Sequence, residues 1–578
     1  MRRVSIVAFL LCLIGDATAH AEPAPRAVAN FRLKDTAGKV WSLDDCKDRR
    51  AVVVLFLGTQ CPINNAYMPR LAELHKEYGP KGMQFVAINA NEHDTPAMIA
   101  EHSQTYKIPF PVLRDETHVI TDRFGAKRTP EAFILDSARH VRYQGRIDDQ
   151  FGVGFQRPRP TRRDLAEALE EVLAGKDVTQ PKTAVAGCII ARKPLARADV
   201  SITFARDVSR ILRDHCQECH RPGQIGPMPL LTYDDASSWA EMIREVVREQ
   251  RMPPWHADPR HGQFRNKRSL TKEDQDTLIA WIDQGCAKGN DSDLPEPRKY
   301  PEGWFIGTPD AVFTMGEDFI VPAKADKRGI RYQYFKVPTN FKEDVWIQAA
   351  EARPGNRAVV HHIIVYVLVD GKRVQGKEDG IGNGYLVAYA PGDLGVVYQP
   401  GSAKKIPKGA TLAFQVHYTP NGTEQSDRSS VAMVFAKEPP KHEVRTRAIA
   451  QNYFLIPPGA DKHRVKSVTT FEQDVLLWTL FPHMHLRGKS FEYRVIQPEG
   501  SSNILLSIPR YDFNWQGTYV LETPLLLKAG TRIECTAYFD NSKDNPNNPD
   551  PTKYVRWGDQ TWEEMMIGFL DYTVLHKQ

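Results

Sequence analysis

The sequence of 578 residues has no large excess of charge of one sign and no long apolar run beyond its first residues. No stretch reaches the roughly 18 apolar residues of a transmembrane helix, so we expect no membrane span. Lys and Arg number 76 against 71 Asp and Glu, and the basic residues are scattered, which excludes nucleic acid as a partner. With 41% hydrophobic residues, 38 Gly and 41 Pro, the composition also excludes wholesale disorder, collagen and coiled coil.

Cysteine is scarce, with eight residues in the chain, and one of them lies in an N-terminal targeting segment. Arg2 and Arg3 precede an apolar run over residues 4–15, and small-residue cleavage patterns follow at residues 17–21. This order is typical of a secretory signal peptide, which we place at residues 1–21. We therefore expect the mature protein in the periplasm or outside the cell. Seven cysteines remain, an odd number, so at least one is free or bonded to something other than a thiol.

The length predicts about four domains at roughly 150 residues each, and the hydrophobic pattern changes along the chain accordingly. Residues 27–180 alternate strand and helix, which predicts an α/β domain with a largely parallel sheet. Residues 200–290 have a helical period and predict an all-α domain. Residues 305–440 and 441–578 contain short Val-, Tyr- and Phe-rich runs between Gly, Pro and Asn, which predict two all-β sandwiches.

Cys61 is the candidate reactive residue of the first domain. It follows an apolar strand and opens a helix, where the helix dipole and free backbone N–H groups stabilise a thiolate. The segment FLGTQCPINNAYMP resembles the thioredoxin-like redoxins, and Thr129-Pro130 resembles the loop whose cis-proline faces the active cysteine in that fold. Asn64 replaces the second cysteine of the CxxC pair, so a local two-cysteine exchange is excluded. The peroxiredoxin pattern also fails, because Thr59 lies two residues before Cys61 instead of three.

Two interpretations of Cys61 remain open at this point. Cys188, in the segment after the α/β domain, is a distant candidate for the resolving thiol of Cys61. The first domain would then be a thiol-disulfide or peroxide oxidoreductase. The other interpretation is a thioredoxin scaffold that has lost its activity, with Cys61 inert or tied in a structural disulfide.

Cys216, Cys219 and His220 form a CxxCH motif. Two such thiols add to haem vinyl groups while the adjacent imidazole binds the iron, so the motif predicts one covalently bound haem c. The alternatives are a zinc-binding or disulfide-bonded CxxC, although no second cysteine pair follows at zinc-ribbon spacing. The helix predicted at 272–285 resembles the last helix of small cytochromes c. Met252 is the expected second axial ligand, and Met228 is its competitor.

Histidine and methionine form a metal-binding pattern in the C-terminal half. The residues concerned are His361, His362, His417, His483, His485 and Met565. Residues i and i+2 of a strand share a face, so His483 and His485 can chelate one ion. His361 and His362 are adjacent, so both can bind one ion only if the strand bulges or one ring uses its other nitrogen. Imidazoles combined with a thioether favour copper over zinc.

These motifs resemble the copper type II, ascorbate-dependent monooxygenases, a family that includes the peptidylglycine and dopamine hydroxylases. The resemblance covers residues 310–575 and implies two eight-stranded jelly-roll domains with one copper ion each, facing one another across an open cleft. By resemblance, His361, His362 and His417 hold the electron-transfer copper, and His483, His485 and Met565 hold the copper that activates dioxygen. The expected fold is therefore a thioredoxin-like domain, a cytochrome c-like domain and two jelly rolls.

The predicted substrate pocket differs from that of the peptide-amidating enzymes. Phe481 and Phe569 stand where that branch has an arginine and a tyrosine that bind a peptide carboxylate. We therefore expect C–H hydroxylation of a small or apolar substrate with dioxygen. The electrons would come from an external reductant such as ascorbate or a redox protein, through the fused haem across the linker at 289–302. The remaining alternatives are a non-catalytic copper and electron carrier and the thiol oxidoreductase described above.

Overall fold

The computed structural model describes residues 26–575, apart from 158, 195–196, 198–199, 301–302, 326–329, 375–380, 391–392 and 394. The predicted signal peptide lies outside the described residues. Across the described part of the chain, none of the helices combines the length and the apolar composition that crossing a membrane requires.

The N-terminal domain is built on a seven-stranded sheet whose central strands are buried on both faces. Its elements in chain order are β1 (Arg32–Asp35), β2 (Val40–Ser42), β3 (Ala51–Phe56), α1 (Pro62–Tyr78), β4 (Met83–Asn89), α2 (Pro96–Thr105), β5 (Val112–Arg114), α3 (Val119–Phe124), β6 (Arg128–Thr129), β7 (Glu131–Asp136), β8 (Val141–Gly145), β9 (Phe151–Gly152), β10 (Phe155–Gln156), α4 (Asp164–Leu173) and β11 (Cys188–Ile189). The strand order of the large sheet is β2-β1-β5-β4-β3-β7-β8.

The expectation of a largely parallel sheet is wrong. Only the pairs β3–β4 and β4–β5 are parallel, whereas β1–β2, β1–β5, β3–β7 and β7–β8 are antiparallel. The continuous apolar composition of residues 51–56 reflects burial on both faces, since all six residues are buried. Such burial is common to central strands of mixed and parallel sheets, so it does not determine strand direction.

The N-terminal domain also extends past the predicted boundary at residue 180. Strand β11 pairs with β6 in antiparallel register, with Cys188 opposite Thr129, and Ile190 is buried in the domain core. Gly187 permits this approach, because its φ is +149° and a Cβ there would lie 2.1 Å from the carbonyl oxygen of Thr129. A segment that the sequence presents as a linker is therefore part of the domain.

The middle region is helical, as the hydrophobic period predicts. A π-helical turn at Phe204–Val208 precedes α5 (Ser209–His215), α6 (Tyr233–Ser238), α7 (Ala240–Arg248) and α8 (Lys272–Asp283). Short 3₁₀ turns lie elsewhere at Leu43–Cys46, Gly79–Lys81 and Asp291–Asp293. Thr271 caps α8 in a capping box with Asp274. The helices surround Trp281, whose side chain is fully buried.

One segment of the predicted cytochrome c-like domain lies outside the helical core. Trp255 and Phe264 pack edge-on against Tyr519 of the C-terminal sandwich, with ring centroids 4.9 and 5.5 Å away. Phe264 also forms a backbone bridge with Leu521. The predicted domain limits of 200–290 therefore do not delimit a separate unit of structure.

The N-terminal sandwich consists mainly of two sheets, ordered β12-β23-β15-β20-β24 and β14-β21-β16-β17, whose strands pair antiparallel except for the parallel pair β20–β24. Its strands are β12 (Ala311–Thr314), β13 (Phe319–Val321), β14 (Gln333–Pro338), β15 (Val345–Arg353), β16 (Val360–Val369), β17 (Lys372–Arg373), β18 (Tyr385–Tyr389), β19 (Val396–Val397), β20 (Ser402–Ile406), β21 (Thr411–Tyr418), β22 (Gln425–Asp427), β23 (Ser430–Phe435) and β24 (His442–Glu443). Because β24 pairs with β20, this sandwich continues slightly beyond the predicted boundary at residue 440.

The C-terminal sandwich has two four-stranded antiparallel sheets, ordered β25-β34-β28-β31 and β27-β32-β29-β30. Its strands are β25 (Arg445–Ala450), β26 (Leu455–Ile456), β27 (His463–Thr470), β28 (Val475–His483), β29 (Gly488–Ile496), β30 (Ser502–Ile508), β31 (Tyr519–Leu527), β32 (Arg532–Phe539), β33 (Val555–Arg556) and β34 (Ile567–Val574). The alternation of buried and partly exposed residues along β29 is the period-2 pattern that the sequence shows.

A buried ion pair joins the two sandwiches. The ammonium group of Lys404, on β20, lies 3.2 Å from a carboxylate oxygen of Asp571 on β34, and both side chains are at most 10% exposed. Lys404 also donates hydrogen bonds to the Thr446 hydroxyl at 2.7 Å and to the Leu386 carbonyl at 3.2 Å. Because these partners lie on both sides of the interface, the pair restricts how the sandwiches can be placed relative to each other.

We predict that Lys404→Met destabilises the paired sandwiches by about 3–5 kcal/mol, because it leaves the Asp571 carboxylate buried without a cation. Scanning calorimetry of the mature protein should show a lower melting temperature for the sandwich transition. The double variant Lys404→Met/Asp571→Leu should recover most of the loss, since it removes both charges. Equal losses in the single and double variants would contradict a role for the charge pair.

Candidate functional site

Cys61 occupies the position just before the first turn of α1 and is almost completely buried, with 1% of its surface exposed. Its sulfur accepts a hydrogen bond from the backbone N–H of Cys188 at 3.3 Å and lies 3.1 Å from the carbonyl oxygen of Thr129. The Thr129–Pro130 peptide bond is cis. The strand pair β6–β11 thus places Cys188 directly beside Cys61.

The two thiols of this pair have opposite pKa shifts. Burial raises the pKa of Cys61, but hydrogen bonds from the Cys188 thiol and from the backbone N–H groups of Asn64 and Cys188 outweigh it and bring the pKa down to about 7. The pKa of Cys188 is raised, because its thiol donates to Cys61, is buried and faces the negative charge of that sulfur. The arrangement therefore favours a Cys61 thiolate next to a protonated Cys188.

Asn64, which stands in place of the second CxxC cysteine, has a structural function here. It is fully buried, its amide donates to the Gly58 carbonyl at 2.7 Å, and its side-chain oxygen accepts from the Gly58 N–H at 3.4 Å. These bonds fix the loop between β3 and Cys61. The thiol beside Cys61 is consequently that of Cys188, on β11, and not one within α1.

The CxxCH motif follows α5, and its histidine is held in one orientation. His220 is 8% exposed, and its Nδ1 hydrogen-bonds the Met228 carbonyl oxygen at 3.0 Å, which leaves Nε2 for a ligand. A Cβ at Gly226 would lie 2.8 Å from the His220 ring, so the loop lies close against that ring. The motif residues fit an axial imidazole, and the haem itself stays a prediction.

The two candidate axial methionines lie in different surroundings. Met228 packs against the helical core, while Met252 is 38% exposed and leads into the segment that packs on the C-terminal sandwich. The assignment of Met252 as axial ligand therefore stays a prediction.

The first histidine group is assembled by two neighbouring strands of the N-terminal sandwich. Strand β16 has an irregular register between Val360 and His362, so that His361 is left out of the pairing and His362 lies opposite His417 on β21. One ring nitrogen of each of the three histidines lies within 4.8 Å of the others. This bulge provides the geometry that two adjacent histidines require to face one ion.

The chemistry of this group fits a metal ion. His361 Nε2 and His417 Nδ1 are buried polar atoms without a hydrogen-bond partner. Burial, together with the nearby imidazoles, lowers the pKa of His361 to about 4 and that of His417 to about 3, and it holds the pKa of His362 well below its usual value. All three rings are therefore neutral at neutral pH and present the lone pairs that a divalent or monovalent copper ion binds.

The second group lies at the end of β28 in the C-terminal sandwich. His483 is opposite Ile567, where the antiparallel pairing ends, and Met565 lies two residues before Ile567 in the chain. His483 Nδ1 lies 2.7 Å from the Gln516 side-chain oxygen, and His485 Nδ1 lies 3.3 Å from the Glu563 carbonyl oxygen. In each ring, Nε2 is left for a ligand, and His485 Nε2 is buried without a partner.

Three residues that support these groups carry no signal in the sequence analysis. The Glu564 carboxylate, fully buried, accepts the backbone N–H groups of His485 at 2.9 Å and Arg487 at 2.6 Å and so fixes the turn after the histidine pair. Gln516 orients His483 from a loop more than thirty residues away. Phe513, from the same loop, stacks on His361 with ring centroids 4.5 Å apart.

The open cleft implied by the family resemblance is absent from the described residues. The rings of His362 and His483, from opposite sandwiches, are 6.4 Å apart between centroids. Beside them, Phe481 and Phe569 stack at 5.7 Å, and Tyr385 of the N-terminal sandwich lies 5.7 Å from Phe569. The two histidine groups therefore meet at a closed, partly aromatic interface.

We predict that Cys61 ionises with a midpoint near pH 7 in the reduced protein. The ionisation can be followed by thiolate absorbance at 240 nm, after the absorbance of the Cys61→Ser variant is subtracted. Cys188→Ala should raise this midpoint, because it removes the thiol that donates to Cys61. Cys188→Ser should raise it less, since a hydroxyl can still donate. A midpoint near that of an ordinary thiol in the wild type would contradict the hydrogen-bonded arrangement.

The N-terminal part of the chain is similar to known proteins. Residues 24–144 match the model of the AhpC/TSA family. A thiol-disulfide oxidoreductase ResA of Bacillus subtilis (strain 168) is 29% identical over 143 residues, which make up 23% of this chain and 77% of that protein.

Solved structures give matches of similar extent. An uncharacterized conserved protein from Geobacillus kaustophilus shares 30% identity over 31% of this chain and 96% of its own, with a TM-score of 0.27. A putative thiol:disulfide interchange protein DsbE from Chlorobium tepidum shares 21% identity over 26% of this chain and 95% of its own, with a TM-score of 0.21. On the match to the AhpC/TSA family model, residues 24–144 form a thioredoxin-like redoxin domain, which is similar to thiol-disulfide oxidoreductases.

Proposed function

We propose that the redoxin domain is a thiol-disulfide oxidoreductase that uses Cys61 as nucleophile and Cys188 as resolving thiol. The contact between the two cysteines carries this proposal, and the similarity to ResA-type oxidoreductases supports it. Asn64 rules out the local pair, so the second thiol must come from elsewhere in the chain. Cys188 lies beside Cys61 in the folded chain, which fits that role.

The proposed thiol-disulfide exchange has two steps. The Cys61 thiolate attacks one sulfur of a substrate disulfide, forming a mixed disulfide and releasing the other sulfur as a thiol after it takes up a proton. Cys188 then loses its proton and attacks the Cys61 sulfur. A Cys61–Cys188 disulfide forms, the second substrate sulfur leaves as a thiol, and two electrons have passed from the protein to the substrate.

Access to Cys61 depends on the β11 strand. Cys61 is 1% exposed and lies beneath the backbone of Cys188, so a substrate disulfide reaches it only when residues 187–190 move aside. The strand is held by two residue pairs, by the bond from the Arg128 guanidinium to the Gly187 carbonyl at 2.7 Å, and by the bond from the Ile190 N–H to the Lys127 carbonyl at 2.9 Å. Short pairings of this kind open at a lower free energy than the domain core.

We predict that reaction of the reduced protein with an aromatic disulfide reagent releases two equivalents of thiol per redoxin site and leaves a Cys61–Cys188 disulfide, detected by non-reducing peptide mapping. Cys188→Ser should release one equivalent and remain as a mixed disulfide at Cys61. Cys61→Ser should react slowly at this site. Finding Cys61 free in the oxidised wild type would leave only the inactive-scaffold interpretation.

A second function is favoured by the clustered histidines of the two sandwiches. We propose that His361, His362 and His417 bind one copper ion and that His483, His485 and Met565 bind another, in a monooxygenase that hydroxylates a C–H bond. The buried, neutral and partly unpartnered imidazoles support this proposal. Bound copper supplies the activation of dioxygen: one oxygen atom enters the product, the other leaves as water, and two electrons are consumed.

The residues around the second group favour a small or apolar substrate. Phe481, Phe569 and Met565 form an apolar cluster with Ile567 next to the histidines. Tyr385 closes the cluster from the N-terminal sandwich. This apolar cluster would bind a hydrocarbon or aromatic group.

The proposed monooxygenase also needs a source of electrons, and we place that source at the CxxCH motif. Cys219 of the CxxCH motif lines one cavity together with Arg357 and Tyr389 of the N-terminal sandwich. Tyr389 pairs with Ile363, on the strand that carries His361 and His362, so a haem at this motif would lie against the first copper group. An external reductant such as ascorbate or a redox protein would reduce the haem, in the periplasm or outside the cell.

We predict that Met565→Ala lowers copper from two ions per chain towards one and abolishes dioxygen uptake in the presence of ascorbate and substrate. Met566→Ala is the matched control: Met566 is fully buried in the core of the C-terminal sandwich, so this variant should lose about 2–5 kcal/mol of stability but keep both ions.

Two outcomes would decide against parts of this proposal. Equal loss of copper in both variants would mean that Met565 is not the ligand. Two bound ions without any dioxygen uptake would favour a non-catalytic copper and electron carrier. For the haem, equal rates of oxidation by dioxygen in the wild type and in His417→Ala would show that electrons do not pass from the haem to the copper.

A further inference from the structure

The imidazoles of the two sandwiches lie in direct proximity. His362 of the N-terminal sandwich and His483 of the C-terminal sandwich have ring centroids 6.4 Å apart, compared with 5.1 Å for His362 and His417 within one group. The spacing between the groups is therefore only slightly larger than the spacing inside one group. Two copper sites that act independently would not require the rings of the two sandwiches to lie so close together.

Phe513 contacts both histidine groups. Its ring belongs to the C-terminal sandwich, is 8% exposed, stacks on His361 at 4.5 Å and meets His485 edge-on at 6.2 Å. One aromatic side chain thus contacts a proposed ligand of each group. On the opposite side, Tyr332 contacts His362 and His417 at 5.4 and 5.2 Å, which shields these rings from solvent.

Contacts away from the histidines hold the sandwiches in this position. The Lys404–Asp571 ion pair is buried at the interface, and Tyr385 packs on Phe569 across it. Thr446, which leads into the C-terminal sandwich, donates from its hydroxyl to the Asp571 carboxylate. Separating the histidine groups would expose these charged and aromatic side chains, so these contacts hold the two groups close together.

We propose that the five histidines and Met565 form one compact binuclear copper centre shared by the two sandwiches, in place of two mononuclear sites separated by a cleft. This inference rests on the copper-binding function proposed above and concerns the arrangement of that same site. The N-terminal sandwich contributes three imidazoles, and the C-terminal sandwich contributes two imidazoles and the thioether. The substrate would approach along the apolar cluster of Phe481 and Phe569, beside the centre, and not between its halves.

The test is electron paramagnetic resonance of the mature protein loaded with one and then two equivalents of Cu(II), with copper content measured after desalting. With one equivalent, the spectrum should be that of isolated copper. With two equivalents, a half-field transition should appear, because two paramagnetic ions bound by neighbouring rings are coupled. The titration uses the wild type alone, so the result does not depend on a variant that fails to fold.

The outcomes separate this inference from the function on which it rests. Two bound ions with the full intensity of isolated copper and no half-field transition would overturn the binuclear centre and leave the copper proposal standing. Failure to bind two ions would overturn both. His417→Ala, checked for native circular dichroism, should bind one ion and lose the half-field transition; its persistence would also overturn the inference.

Discussion

The crowding of five buried or half-buried imidazoles at the contact between two sandwiches is the constraint on which the C-terminal half of the protein depends. Loss of water around the rings lowers the pKa of each one, so all five are neutral at neutral pH. Neutral rings with unpartnered nitrogens are costly to bury. A metal ion bound at the proposed copper sites would remove that cost.

Much of this arrangement follows from local sequence patterns. The apolar run before Cys61, the cysteine at the start of a helix and the paired histidines on strands are all local features, and the structure has a strand, a helix start and strand ends at those places. Local patterns describe which face a residue occupies and what it is next to in the chain. They do not describe which strands meet.

The features that were missed depend on contacts between distant parts of the chain. Glu564, Gln516 and Phe513 act on histidines that lie 28 or more residues away in the chain, and no sequence motif around them marks them. The direction of β7 relative to β3 is likewise set by the whole sheet. The closed interface between the sandwiches depends on Lys404 and Asp571, whose pairing only the folded chain brings about.

The segment around Trp255 and Phe264 has a consequence for how the chain can be divided. Ala257 and Phe264 are buried members of the C-terminal sandwich core, although they precede the first strand of the N-terminal sandwich by more than forty residues. A fragment that begins at residue 305 would contain every strand of both sandwiches and still lack two side chains of its own core. The unit that folds on its own therefore does not end where the helical region gives way to strands. Cutting the chain between the helical region and the sandwiches would expose an apolar surface.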